Sequence, residues 1–252
     1  MVVAFVRKSF YLLSERRKGV SCGKRGGSGW RICGKDLFEN GALLCEPLFC
    51  SIFGVAMKQL LVVNHHDSFV YNLIQIFSTA SQIECRVVDC ELLDSVSLSD
   101  FDAVVLSPGP GEVTDYPLSI QLLRFNASSV HPLPVLGVCM GHQQIGTLYG
   151  LELYRMEQPA HGEQTTIEWL HNVPALGQQS HSLTPVGRYH SWAVRTPSNY
   201  SGEVVVDAID PQEGTVMALH HSSLPYYGVQ FHPESILTPK GKELLYAWLE
   251  TI

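Results

Sequence analysis

The stretch Pro134-Val-Leu-Gly-Val-Cys139-Met-Gly-His-Gln-Gln-Ile-Gly146 decides the predicted fold. Its first five residues form a short apolar run, which is typical of a buried strand in a parallel sheet. Cys139 follows, with Gly137 and Gly141 two residues away on either side, and a helix-like stretch comes next. This is the pattern of a nucleophile elbow, in which glycines relieve crowding in a tight turn. It favours a nucleophilic Cys139 near backbone N–H groups that can hold an oxyanion, over the alternative of an inert buried cysteine.

Strands and helices alternate through the first part of the chain after residue 57. Strands are predicted at 58–63, 83–88 and 102–106, and helices after residue 68 and over 117–125. This alternation predicts an α/β fold with an open, mostly parallel, doubly wound sheet flanked by helices. From residue 151 onward, short alternating stretches separated by turns predict a β-rich, antiparallel second half. Those stretches are 151–155, 164–169, 187–190, 203–208 and 215–219.

The loop Ser107-Pro-Gly-Pro-Gly111 follows the predicted strand 102–106. Two prolines and two glycines in five residues indicate a rigid loop with exposed backbone N–H groups. An ordinary strand-to-helix turn and an anion or oxyanion cradle are both compatible with this composition. Ligands of such sheets bind at the carboxyl ends of the strands, so this loop and Cys139 can face one site.

A second candidate site motif is His232-Pro-Glu-Ser-Ile236, which follows a predicted strand at 227–231. Residues two apart in an extended segment point to the same side, so His232 and Glu234 would lie together. A carboxylate holds a histidine in one tautomer and stabilises its imidazolium form. The pair is interpreted as the base half of a Cys-His-acid triad, with a satisfied surface pair as the alternative. Thr238-Pro239 is predicted to begin a final helix.

Charge and cysteine usage exclude several classes of protein. The net charge is -7, divided into +5 for residues 1–56 and -12 for residues 57–252. A body this acidic argues against nucleic-acid binding. The sequence has no apolar run near the roughly 20 residues that a membrane helix needs, so no membrane association is expected. Cysteines without Cys-x-x-Cys spacing argue against a zinc site and indicate reduced thiols of a cytoplasmic protein.

Residues 1–56 lack a sustained hydrophobic period and carry basic and glycine-rich clusters. They could be a targeting segment, a small ordered appendage, or an upstream extension with Met57 as the true start. The third interpretation is favoured because a strand-like stretch follows Met57 at once. We expect residues 1–56 to be poorly ordered and residues 57–252 to form the functional domain.

Taken together, these segments resemble class I glutamine amidotransferases over residues 57–252. The resemblance rests on three motifs: Gly-Val-Cys139-Met-Gly-His-Gln143, Ser-Pro-Gly109-Pro-Gly111 and Gln-Phe-His232-Pro-Glu234-Ser-Ile. Two further segments, Asn64-x-x-Asp67-Ser-Phe-x-Tyr-Asn72 and Arg188-Tyr-His-Ser191, resemble the glutaminase subunits of chorismate-using synthases. Those subunits are component II of 4-amino-4-deoxychorismate synthase and of anthranilate synthase.

The resemblance implies a role for each matching residue. Cys139 would attack the side-chain amide of L-glutamine, His232 would move the proton, and Glu234 would orient His232. The backbone N–H groups of Met140 and Gly109 would hold the oxyanion, while Gln143 would help to bind the substrate. The full set of implied substrate-binding residues is Gly109, Pro110, Gly111, Met140, Gln143, Ser191 and Trp192. No cofactor and no metal are implied.

The resemblance also implies a partner. The roughly 195 residues of the domain leave no room for a second catalytic domain of ordinary size, so the ammonia would pass to a separate chorismate-binding subunit. Three departures from the family pattern bear on which synthase is served: His65-His66, Trp192 and Glu112-Val-Thr. They favour 4-amino-4-deoxychorismate synthase, with anthranilate synthase as the alternative. A partner-free cysteine hydrolase or peptidase and a non-catalytic binding module are the competing classes.

Overall fold

The structure is a computed structural model that describes residues 56–252, which form one nine-stranded sheet with helices packed against it. The prediction about residues 1–56 therefore lies outside the described residues, apart from Ala56. The strands are β1 Lys58–Asn64, β2 Ile83–Asp89, β3 Ala103–Leu106, β4 Val135–Val138, β5 Glu152–Trp169, β6 Leu183–Arg195, β7 Val204–Ile209, β8 Val216–His221 and β9 Tyr226–Val229. The helices are α1 Val70–Ser78, α2 Pro117–Ala127, α3 Met140–Leu148 and α4 Gly241–Leu249.

The strand order is β2-β1-β3-β4-β9-β8-β7-β5-β6. Neighbouring strands from β2 to β9 in this order are parallel, and those from β9 to β6 are antiparallel. The α/β fold, with a parallel part and an antiparallel second half, is therefore confirmed. The last strand of the sequence, β9, lies beside β4, which brings the segment after β9 next to the turn after β4.

The core lies on both faces of the sheet. Alternate residues of β1 face opposite layers: Leu60 and Val62 join one apolar cluster, and Leu61 and Val63 join the other. All four residues of β3 and of β4 are buried, as continuous apolar runs in a parallel sheet predict. These central strands are the rigid base from which the candidate site loops emerge.

Two strands of the antiparallel half are longer than predicted, and the predicted strand 187–190 is only the middle of β6. The predicted strands 151–155 and 164–169 are parts of one strand, β5, which pairs with β6 across two register shifts. The residues between them break the alternating pattern and include Pro159 and Gly162, whose φ is +74°. A proline and a left-handed glycine are typical of irregular positions in a strand, and they concealed its continuity in the sequence.

The start of the last helix also differs from the prediction. Helix α4 begins at Gly241 after Lys240, not at Thr238-Pro239. The Thr238 hydroxyl instead donates to the backbone oxygen of His232 at 2.7 Å and accepts from the N–H of Gly187 at 2.9 Å. Thr238 therefore fixes the loop that carries His232 to strand β6. Within residues 56–252, no helix is both long and apolar enough to cross a membrane.

Candidate active site

Cys139 occupies a strained turn between β4 and α3. Its φ and ψ are 53° and -95°, an unusual conformation for a residue with a side chain. A Cβ built on Gly137 would lie 2.4 Å from the carbonyl carbon of Gly141, and one on Gly141 would lie 2.5 Å from the backbone oxygen of Leu106. Glycine is therefore required on both sides of Cys139. The predicted nucleophile elbow has the expected geometry, and Cys139 is only 5% exposed.

His232 and Glu234 form a buried pair. Nδ1 of His232 lies 2.7 Å from Oε1 of Glu234. Burial acts to lower the pKa of His232, but the Glu234 charge, the nearby Cys139 side chain and the hydrogen bond with Glu234 outweigh it and hold this pKa well above its usual value. The second ring nitrogen, Nε2, is buried without a hydrogen-bond partner among the described residues. It is the ring atom left to exchange a proton with the thiol.

The pairing of β4 with β9 brings these groups together. Val138 lies opposite Val229 at the carboxyl ends of the two strands, and the N–H of Cys139 donates to the backbone oxygen of Val229 at 2.8 Å. Three residues later, the N–H of His232 donates to the backbone oxygen of Gly187 at 3.0 Å. Neighbouring parallel strands thus deliver the cysteine and the histidine to one edge of the sheet, as expected.

Two aromatic rings clamp the histidine. Phe69 and Tyr189 lie edge-on to the His232 ring, with centroid distances of 5.1 and 5.0 Å. The Tyr189 hydroxyl also hydrogen-bonds the Ser235 hydroxyl at 3.0 Å. Phe69 belongs to the segment Asn64-x-x-Asp67-Ser-Phe, and Tyr189 belongs to Arg188-Tyr-His-Ser191. Both segments carry the resemblance to the glutaminase subunits, but no role was predicted for either ring.

Gln230 is a site residue that the sequence interpretation missed. Its Nε2 donates to the sulfur of Cys139 at 3.6 Å, and its Oε1 accepts from Nε2 of Gln143 at 3.2 Å. The side chain is fully buried. Gln230 lies two residues before His232, so the alternation that paired His232 with Glu234 could have drawn attention to it as well.

Gln143 and the Ser191-Trp192 segment are held in one network. Nε2 of Gln143 donates to the Trp192 backbone oxygen at 2.7 Å, and the same oxygen lies 2.9 Å from Nδ1 of His190. Nε2 of His190 accepts from Arg188, so Nδ1 carries the proton and donates. Burial, with the nearby Arg188 charge, lowers the pKa of His190 to about 3 and keeps it neutral. The network fixes Trp192 next to Gln143, and the half-buried Ser191 lies between His190 and Trp192.

The 107–111 loop lies beside the elbow, because the residue before it, Leu106, contacts Gly141. The Pro110 backbone oxygen accepts from the Tyr116 hydroxyl at 2.6 Å. Gly111 has a φ of +76°, which favours glycine, and Gly109 is half-buried. These contacts hold the loop beside the elbow, with the backbone of Gly109 and Gly111 near the surface. Its role as an oxyanion cradle stays a prediction.

One group of possible metal ligands occurs in residues 56–252, formed by His66, Cys90 and Glu91, whose ligand atoms lie within 4.8 Å of one another. Nε2 of His66 already lies 3.0 Å from both carboxylate oxygens of Glu91. Hydrogen bonding to Glu91 raises the pKa of His66, while that to His66 lowers the pKa of Glu91 to about 2. The group is thus explained as an exposed ion pair, and the expectation that no metal takes part stays a prediction.

Comparison with known proteins identifies the family that the sequence motifs resemble, and the match covers nearly all of the described residues. The profile of the family described as glutamine amidotransferase class-I matches residues 61–252. Anthranilate synthase component 2 from Saccharolobus solfataricus is 33% identical over 78% of this chain and 100% of its own length. Aminodeoxychorismate/anthranilate synthase component 2 from Bacillus subtilis is 33% identical over 76% of this chain and 96% of its own length.

Two further similarities concern a longer protein and the fold. The bifunctional protein TrpGD from Thermotoga maritima is 32% identical over 86% of this chain, but the chain spans only 36% of that relative. The solved structure of a glutamine amidotransferase from Thermotoga maritima has a TM-score of 0.57 at 16% identity, covering 77% of this chain and 97% of that one. That likeness supports the fold alone. From the family profile and the relatives, the chain belongs to the class I glutamine amidotransferase family.

Proposed function

We propose that this protein is the glutaminase subunit of a chorismate-using synthase, and that Cys139, His232 and Glu234 are its catalytic triad. The observation that carries the proposal is the strained, buried Cys139 beside a histidine whose pKa the buried Glu234 raises. Such an arrangement supports nucleophilic attack on an acyl carbon. Membership of the amidotransferase family indicates that this acyl carbon belongs to the side-chain amide of L-glutamine.

The proposed reaction uses these groups in sequence. The thiol proton passes first to His232, whose pKa is raised, and the Cys139 sulfur then attacks the side-chain amide carbon of glutamine. His232 then donates that proton to the departing ammonia, which leaves a thioester on Cys139. Water hydrolyses the thioester, releases glutamate and restores the thiol. The N–H groups of Met140 and Gly109 stabilise the tetrahedral oxyanion, and losing one such donor typically slows an enzyme about 100–1,000-fold.

Substrate recognition is assigned to Gln143 and the Ser191-Trp192 backbone. Both N–H groups of the Gln143 amide are used by Trp192 and Gln230, so its carbonyl oxygen is the group left to accept from the α-ammonium of glutamine. The backbone at Ser191 and Trp192 would bind the α-carboxylate. Pro110 and Gly111 would form the outer wall of the same pocket.

The ammonia is proposed to pass to a separate chorismate-binding subunit. The names of the Saccharolobus and Bacillus relatives, both component 2 of a synthase, support such a partner. Cys139 is nearly sealed from solvent, which is a reason to expect slow glutamine hydrolysis by the chain alone. Binding of the partner would then complete or open the site.

For the product, we propose 4-amino-4-deoxychorismate, because of the departures at His65-His66, Glu112-Val-Thr and Trp192. Anthranilate is the second candidate, and the names of the relatives support both products equally. The test is to mix the full chain with each candidate chorismate-binding subunit, supply glutamine and chorismate, and identify the aminated product. Activity with both subunits would assign a shared role, and activity with neither would overturn the partner proposal.

The competing peptidase hypothesis is tested in the same preparation. A peptidase would cleave peptide substrates, whereas the network around Gln143 and Trp192 suits a single free amino acid. We expect glutamine to be hydrolysed and peptides of similar size to remain intact. Peptide cleavage at a rate comparable to glutamine hydrolysis would contradict the assignment.

A further inference from the structure

A buried polar cluster centred on His65 lies behind the 107–111 loop. The His65 side chain is fully buried, and its backbone N–H donates to the Ser107 hydroxyl at 2.9 Å. Its Nδ1 lies 3.0 Å from the Ser107 backbone oxygen. A carbonyl oxygen only accepts, so Nδ1 carries the ring proton. Two contacts from one residue to Ser107 therefore fix the first position of the loop.

The other ring nitrogen reaches two helices. Nε2 of His65 lies 2.9 Å from the Ser119 hydroxyl on α2 and 3.2 Å from Nε2 of Gln144 on α3. Burial lowers the pKa of His65 to about 4, so the ring is neutral near pH 7 and its Nε2 is an acceptor. A neutral ring with a proton on Nδ1 matches all three partners. His65 thus connects the loop, α2 and α3 through one side chain.

His65 is also in direct contact with the proposed oxyanion residue. A Cβ built on Gly109 would lie 2.5 Å from the Cβ of His65 and 3.2 Å from its backbone oxygen, so the Gly109 backbone rests on His65. The ring of Tyr116 lies edge-on to the His65 ring at a centroid distance of 4.7 Å, and its hydroxyl holds the Pro110 backbone oxygen. The loop is supported by His65 from below and by Tyr116 at its side.

These contacts bear on the distance between the two oxyanion donors. The N–H of Met140 begins helix α3, and the N–H of Gly109 belongs to the loop, so the donors lie on separate elements. His65 joins those elements, since it packs against Gly109 and hydrogen-bonds Gln144 one turn into α3. A donor pair stabilises a transition state only when its spacing is fixed beforehand.

We propose that His65 is a positioning residue that sets the spacing of the Gly109 and Met140 N–H groups by bracing the 107–111 loop against helix α3. The inference rests on the proposed function, because it assumes that these two groups hold the oxyanion. The His65 side chain is fully buried, so the role proposed for it is indirect. His65 belongs to the His65-His66 pair, a departure from the family pattern whose effect on the site was not evident in the sequence.

The test uses the variant His65→Phe, which keeps a ring but removes both ring nitrogens, in the full chain bound to its chorismate-binding partner. We expect kcat for glutamine hydrolysis to fall roughly 10- to 100-fold, less than the loss from removing a donor outright because the Gly109 N–H is displaced and not deleted, while KM changes less than about twofold. An aldehyde analogue of glutamine forms a tetrahedral adduct with the thiol, so its affinity should fall by the same factor as kcat. Alkylation of Cys139 by iodoacetamide needs no oxyanion site and should keep the wild-type rate.

Milder variants keep the test sharp if His65→Phe does not fold. Ser119→Ala and Gln144→Leu each remove one partner of Nε2, and each should lower kcat and aldehyde affinity together by a smaller factor. His171→Phe changes an exposed histidine and serves as the matched control, with wild-type values expected. A fall in the alkylation rate as large as the fall in kcat, together with a matching rise in KM, would indicate general structural damage and overturn the inference. An unchanged kcat would overturn it as well. Failure of the wild-type complex to use glutamine would instead overturn the proposed function.

Discussion

Nδ1 of His232 and Oε1 of Glu234 lie 2.7 Å apart in a pair whose side chains are both buried. Pro233 separates the two residues in sequence, and the rings of Phe69 and Tyr189 pack against the histidine. The position of the imidazole is therefore set on several sides. Burial acts to lower its pKa, and the charge of Glu234 is the main effect that raises it. This relationship makes the acid-base chemistry of the site open to a direct test.

Replacement of Glu234 by glutamine should lower the pKa of His232. The variant keeps the side-chain shape but removes the charge that offsets burial, so burial then dominates. In the wild-type protein the ring should keep its proton to a pH well above 6.5, and in Glu234→Gln it should lose it at a lower pH. NMR titration of the His232 ring nitrogens measures the difference. Asp207→Asn is the matched control, because it removes the carboxylate 2.8 Å from His220 and should shift only that histidine.

The same pair predicts how stability depends on pH. A raised pKa in the folded state contributes stability that is complete below pH 6.5 and is lost as the pH rises through the folded-state value. The free energy of unfolding in urea should therefore fall across this window more steeply for the wild-type chain than for Glu234→Gln. Parallel curves for the two proteins would show that Glu234 does not raise the pKa of His232.

Replacement of Cys139 by serine should abolish glutamine use without disturbing the fold. The thiol and a hydroxyl are similar in size, so the elbow should persist, but the weaker nucleophile should reduce glutamine hydrolysis by at least about 1,000-fold. The complex with the chorismate-binding subunit should still form product from added ammonia. Residual glutamine hydrolysis above a few per cent would show that another group is the nucleophile.

Gln230 should matter for both catalysis and binding, since it hydrogen-bonds the Cys139 sulfur and the Gln143 amide. Gln230→Leu removes both hydrogen bonds at similar volume, and we expect kcat/KM for glutamine to fall about 10-fold, with KM rising as Gln143 loses its fixed orientation. Steady-state kinetics of the complex measure the change. Gln121→Leu, at an exposed position on α2, is the control. A wild-type KM in Gln230→Leu would remove the proposed link from Gln230 to Gln143.

The glycine before the nucleophile should tolerate no side chain. In Gly137→Ala the new methyl group would meet the backbone of Gly141 and the backbone nitrogen of His142, at 2.4 and 2.7 Å. Backbone atoms in a buried elbow can move aside only at a large cost in free energy. We therefore expect a loss of about 3 kcal/mol or more in unfolding free energy. Gly214→Ala is the comparison, with open space but a φ of +71°, and should cost about 1–2 kcal/mol. Equal losses would argue against the crowding explanation.

Features that depend on nearby residues were predicted well from the sequence. Cys139 with its flanking glycines, the α/β alternation, and His232 with Glu234 all have local patterns, and the structure shows the expected geometry. Crowding at an elbow and the two-residue repeat of an extended segment act over a few residues only. Short windows of sequence therefore carry this information.

Features that depend on distant pairing were not predictable in the same way. The contact of Phe69 with His232 and that of Gln230 with Cys139 require the pairing of β4 with β9, which no short window reveals. Thr238-Pro239 is a sequence typical of a helix start, but the Thr238 hydroxyl instead hydrogen-bonds the His232 backbone oxygen. In each case a tertiary contact decides the role of a residue whose local pattern is compatible with several.

The most direct test of the central claim is to treat the full chain with a chloroketone analogue of glutamine, with and without the chorismate-binding partner, and to map the modified peptide by mass spectrometry. Burial raises the pKa of Cys85, and that of Cys90 to about 12, so neither thiol should compete. We expect glutamine to prevent labelling of Cys139, and this label to form faster when the partner is bound. A glutamine-protected label on another residue, or labelling of Cys139 that glutamine does not slow, would contradict the assignment of Cys139 as the nucleophile.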